Sequence, residues 1–193
     1  MSYHLLLAIS AIGLAVAVGA FVKNVAPRDK IDKCLGESLP VPERRVLEGY
    51  DCSYLKRVAS HLESHRLDEQ QTLLDMYIRP VLLWNDIVFA IALSISSASF
   101  WVWIIIHFGL SGLPRDLLLL LFTACAVLYG ILDVAEDLTL VSLLRAPGTI
   151  SKRDGQVSSL LTRLKFYTII ISITGAIVFQ ALSSATHRRP AHG

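Results

Sequence analysis

The sequence predicts an all-α fold: an integral membrane four-helix bundle with a short helical cytoplasmic segment between its first and second spans. Two observations carry that expectation. Apolar residues collect in four blocks, at about 5–22, 82–108, 117–144 and 166–182, and each can cross a hydrocarbon layer of about 30 Å, which takes roughly 20 helical residues. Charged residues make up 18% of the 193 and gather between the blocks, giving a mean hydropathy of +0.54. The chain 1–193 therefore reads as a single membrane domain, with 23–81 forming a cytoplasmic helical cap.

The first block, LLLAISAIGLAVAVGAFV, lacks the basic opening of a cleaved signal, since Met1 to His4 contain no Lys or Arg. It reads as a retained span, although the A-V-G-A end is compatible with cleavage. Ala11, Ala15 and Gly19, four apart, predict a smooth face for close helix packing.

Every Lys and Arg except Arg115, Arg188 and Arg189 falls in 23–81 or 145–165. The positive-inside bias then places those segments in the cytoplasm and both termini outside. Cys34 and Cys52 lie in that cytoplasmic segment, where a stable disulfide is not expected, and Cys125 lies within the third span.

Residues Asn24–Pro42 read as a loop punctuated by Pro27, Gly36, Pro40 and Pro42. From Glu43 the pattern turns helical, with a short helix ERRVLE closed by Gly49 and then a longer one. Tyr54, Leu55, Val58, Leu62, Leu73, Leu74 and Tyr77 supply its apolar face. Pro80 resets the chain before the second span. Residues 23–81 carry as many acidic as basic side chains, which excludes a polybasic nucleic-acid arm. The expected partners are membrane lipids and homo- or hetero-oligomeric membrane proteins, with no nucleic acid.

Trp84, Trp101 and Trp103 mark the ends of the second span as aromatic belts, and Ser94, Ser96 and Ser97 suit close packing at its centre. Gly109–Asp116 makes a tight link to the third span. The segment after Arg145 leads through Val157–Leu161 to the fourth span, and HRRPAHG forms a polar tail.

The candidate site is acidic. Asp133, Glu136 and Asp137 share one helix face at i, i+3 and i+4, with Tyr129 one turn earlier, and Asn85 and Asp86 enter the second span from the same side. Carboxylates at this depth must face protein, water, a cation or a proton. Arg163 and Lys165, with Arg79 or Arg145, are the cations within reach, and Tyr167 and Thr174 extend the polar face. In a catalytic version Asp86, Asp133, Glu136 and Asp137 do the chemistry, while Arg163 and Lys165 contact an anionic substrate. A divalent metal is the cofactor such a site implies, held by Asp133 and Glu136 and, if the cap folds back, by His61 and His65. HLESH is not the HExxH zinc signature, and GxGxxG, P-loop and GxSxG motifs are absent.

The run LDVAEDL resembles a motif of little-characterised small four-helix membrane proteins, in which D-x-x-E-N closes the third helix. Asp133 and Glu136 match, and Asp137 stands where that motif has asparagine. The resemblance implies membrane location and a four-helix outline, not a reaction. The leading expectation is a structural or accessory subunit of a membrane assembly. The alternatives are a metal-dependent membrane enzyme acting on a lipid or isoprenoid at the cytoplasmic leaflet, and a proton-coupled transporter.

Overall fold

The computed structural model describes residues 3–67, 69–107 and 112–187. The last residue expected in the second span (Phe108), the first three residues of the expected link after it (109–111) and the tail from Arg188 lie outside them. Five helices organise the described residues: α1 (Tyr3–Leu35), α2 (Cys52–Ser64), α3 (Leu73–His107), α4 (Gly112–Arg145) and α5 (Lys152–His187). The only β pairing among them is an isolated bridge between Arg66 and Thr72. Four helices are long and apolar enough to cross a membrane, and side chains such as Ile12, Phe21, Leu120 and Ile131 are exposed on their outer faces. In water such faces would be driven together, so this is a multi-pass helical membrane protein.

The spans pack in the order α1, α3, α4, α5, each against the next, whereas α1 and α5 do not pack closely on each other. Small residues set these seams. A Cβ on Gly13 of α1 would lie 3.0 Å from the Ala92 carbonyl of α3, and one on Gly130 of α4 would lie 2.8 Å from Ser94. The face expected to pack is a different one: Ala11, Ala15 and Gly19 are exposed, while Leu6, Ser10, Gly13, Ala17 and Ala20 are buried. The buried set follows the polar and small positions that meet the serines of α3.

Those serines bond between helices. Ser94 Oγ donates to Ala126 O of α4 (2.8 Å), Ser96 Oγ donates to Ser10 O of α1 (2.8 Å), and Ser97 Oγ pairs with Ser172 Oγ of α5 (3.0 Å). One turn of α3 thus touches all three neighbouring spans, in a setting where every buried polar group needs an internal partner. Trp101 does not face outward: it is buried, stacks on Phe122 and donates to Ser172. Trp84 is exposed.

At one end of the bundle α2 covers the ends of α1, α3 and α4. Tyr54, Leu55, Val58 and Leu62 are buried there with Ile31, Leu35, Leu73, Tyr77, Leu140 and Leu144. Burying an aliphatic side chain of this kind contributes about 1.5–3 kcal/mol, so the cap is joined to the spans by a shared core. Asp51 caps α2 by accepting from the Tyr54 N–H.

Four expected boundaries change. Helix α1 runs through Pro27 to Leu35 where a loop was expected from Asn24, because Ile31 and Leu35 have the cap to bury against. ERRVLE is a 3-10 turn at Pro42–Arg44 followed by a turn at Gly49 (φ +72°), not a helix. Pro80 lies within a helix, in a π-helical stretch at Tyr77–Asp86, whose wider turns accommodate a residue with no N–H. Helix α5 begins at Lys152 because Ser151 and Asp154 form a reciprocal cap.

Candidate functional site

The polar residues converge just below the cap. Asp133, Glu136 and Asp137 are buried on one face of α4, as their spacing requires. From α5, Lys165 Nζ donates to Asp133 Oδ1 at 2.5 Å and forms an ion pair with Glu136 Oε2. Tyr129 OH donates to the second Asp133 oxygen at 2.8 Å, and Thr162 Oγ1 donates to Glu136 Oε1. Asp137 Oδ2 is buried and has no hydrogen-bond partner among the described residues.

The cap joins this cluster through Tyr50. Its hydroxyl lies 2.9 Å from both Thr162 Oγ1 and Ser158 Oγ. Because the Thr162 proton is directed to Glu136, Tyr50 donates to Thr162. Burial, reinforced by the nearby Glu136 carboxylate, raises the Tyr50 phenol above its ordinary range, so it stays a neutral donor. A continuous chain of contacts therefore runs from Tyr50 through Thr162, Glu136, Lys165 and Asp133 to Tyr129.

Asp86 reaches the same region from the π-helical stretch of α3, but its cation is Arg28 of α1, at 2.5 Å. Asn24 Nδ2 donates to the other Asp86 oxygen at 2.6 Å, and Asn85 donates to Asn24 at 2.8 Å. Glu43 accepts from Tyr77 OH at 2.5 Å and lies 3.8 Å from Arg28. Asn24 and Arg28 come from a stretch that the prolines disguise as loop, and Glu43 opens the segment expected to be the helix ERRVLE, so none of the three was anticipated. Tyr50 and Thr162 were likewise missed. Thr162 sits three residues before Lys165, on the same face, and that spacing is the one signal that points to it.

Between α1 and α5 opens a cavity of about 400 Å³. Arg28, Asp86, Asp133 and Lys165 line its charged end, and Phe21 and Ile169 contribute to its apolar wall. The sequence thus brings Asp86, Asp133 and Lys165 to one cavity, which Glu136 and Asp137 do not line.

Arg163 goes elsewhere. Its guanidinium donates to the Val46 and Leu47 carbonyls, both at 3.2 Å, and fixes the loop before Gly49. It borders a second, open cleft of about 670 Å³ with Arg45, Arg57 and Ser159. Tyr167 and Thr174 are exposed, and the polar face of α5 is instead continued by Thr162, Thr168 and Ser172, which are buried.

His61 on the last turn of α2 and His65, the extended residue that ends it, lie together with ring centroids 4.6 Å apart. Their companion is Cys34 near the end of α1: the three offer donor atoms within 4.8 Å of one another, an arrangement able in principle to chelate a metal. Among the described residues it is the one such grouping of three, and Asp133 and Glu136 do not take part in it.

No protein-family model matches the chain, and no curated protein or solved structure is significantly similar to it.

Proposed function

We propose that the protein is a structural or accessory subunit of a membrane assembly, with the cap and 145–165 on the cytoplasmic side and both termini outside. The observation that carries this reading is the pairing of three of the four candidate carboxylates, Asp86, Asp133 and Glu136, with internal cations. Lys165 holds Asp133 and Glu136, and Arg28 holds Asp86. Carboxylates used in this way tie helices and cap together, whereas a metal cage or a general base needs an oxygen free to meet a ligand. The exposed small-residue face at Ala11, Ala15 and Gly19 supports docking to neighbouring helices.

Native mass spectrometry of the protein, extracted from its own membrane in mild detergent, tests the proposal. Co-purifying proteins in fixed ratio support it, and Asp133→Asn then lowers assembly and abundance. A lone chain whose Asp133→Asn variant assembles normally overturns it.

One observation favours a second reading, an enzyme acting on a lipid or isoprenoid at the cytoplasmic leaflet. The cavity between α1 and α5 sets charged groups beside an apolar wall, which suits an amphiphile. A stoichiometric lipid retained by the purified chain, and lost on blocking the wall with Ile169→Trp, would move this reading to first place.

A further inference from the structure

We propose that Cys34, His61 and His65 form a zinc(II) site that fastens the cap helix α2 to the end of α1. One thiol comes from a span and two imidazoles come from consecutive turns of the cap, and their donor atoms lie within 4.8 Å of one another. Nothing in the acidic cluster is needed for this site.

Each imidazole is anchored to the backbone through one of its nitrogens. His61 Nε2 lies 3.0 Å from the Cys34 carbonyl oxygen, and His65 Nδ1 lies 2.8 Å from the His61 carbonyl oxygen. A carbonyl only accepts, so each of these nitrogens carries its proton. A ring that binds a metal in its neutral form would offer the opposite nitrogen, Nδ1 of His61 or Nε2 of His65, and neither has a hydrogen-bond partner among the described residues. Metal-binding histidines are typically held this way, with one ring N–H given to a carbonyl or carboxylate and the other nitrogen turned to the ion.

The donor set narrows the choice of ion. One thiolate with two imidazoles suits zinc and not magnesium or calcium, which prefer oxygen. Zinc sits about 2.0–2.3 Å from such ligands, so the three donors must draw closer on binding. The exposed His65 at the end of α2 is free to supply that movement, and water takes the fourth position.

The test uses the full chain, reduced and metal-free, in mild detergent, titrated with zinc(II) and with cobalt(II). The expected result is one equivalent per chain, a thiolate-to-cobalt charge-transfer absorption, and a higher unfolding temperature with zinc. Cys34→Ser abolishes the charge-transfer absorption. His65→Ala alters an exposed side chain, and it weakens binding by more than the roughly 10–100-fold that changes to outer-shell partners cost. Cys52→Ser and Cys125→Ser leave binding as it was. Failure to bind an equivalent overturns the proposal, as does binding that survives in His65→Ala or a cobalt absorption that follows Cys52 or Cys125. If Cys34→Ser does not fold, the His65→Ala titration alone decides.

Discussion

Lys165 of α5 sits 2.5 Å from Asp133 of α4, and the same ammonium contacts Glu136 one turn along. One cation thus serves two carboxylates that are almost completely buried. Removing one partner of a buried ion pair costs about 3–5 kcal/mol, because the charge left behind has lost both water and its counter-ion. Lys165→Met strands two such groups and is expected to destabilise by at least that much. Asp133→Asn leaves Lys165 paired with Glu136 and costs less. Unfolding of both variants in the same detergent, followed by circular dichroism, checks the order.

Two glycines of α1 separate packing from propensity. Gly13 meets the α3 backbone and Ser96, whereas nothing lies within 4 Å of a Cβ on Gly19. Gly13→Val forces α1 and α3 apart and is expected to destabilise by about 1–3 kcal/mol. Gly19→Ala fills open space within a helix and is expected to stabilise by about 0.5–1 kcal/mol. Thermal midpoints of the pair give the comparison, and equal shifts would contradict the seam described for α1 and α3.

The sequence patterns reached the candidate site unevenly, for physical reasons. Asp133, Glu136 and Asp137 were legible as one face because the α-helical repeat fixes their directions whatever surrounds them. Asp86 and Lys165 were legible because topology brings the start of the second span, the end of the third and the start of the fourth to the same depth. Arg28 and Asn24 were hidden: Pro27 between them reads locally as a helix breaker, and only the buried contacts of Ile31 and Leu35 with the cap explain why α1 continues. Arg163 has the charge to join the acidic cluster, yet it points to Val46 and Leu47, because two residues' separation from Lys165 turns it to another face of α5. The starts of α3 and α5 carried a readable signal in Thr72 with Asp75 and Ser151 with Asp154, each a reciprocal cap.

Asp137 has a buried oxygen, Oδ2, with no hydrogen-bond partner among the described residues, and unlike Glu43 and Glu136 it has no ion pair among them either. Asp137→Asn keeps the shape and removes an ionisable group that packing has cut off from water. Since burying a charge without a partner is unfavourable, the unfolding midpoint is expected to hold or rise, in contrast to Lys165→Met. A fall comparable to that of Lys165→Met would mean that Asp137 has an essential partner, and stability measurements on the two variants side by side make the distinction.

Asp51 supplies a pH test outside the spans. Its carboxylate accepts from the Tyr54 N–H and the Ser53 hydroxyl, and these bonds hold its pKa below the ordinary value near 4. The folded state thus prefers the ionised form more strongly than the unfolded chain does. The resulting stability is fully present above the unfolded value and is lost as the pH falls through the lower folded one. Acidification from about pH 5 to pH 3 should therefore weaken the start of α2 in the parent protein. Asp51→Ala should lose about 0.5–2 kcal/mol at neutral pH and lack this part of the acid response. Because the side chain is exposed, the pH-dependent part is small, and it is best read from amide hydrogen exchange at Tyr54 and Leu55 corrected for intrinsic exchange at each pH. An Asp51→Ala variant with the parent's pH profile at those two amides would rule the cap out as its source.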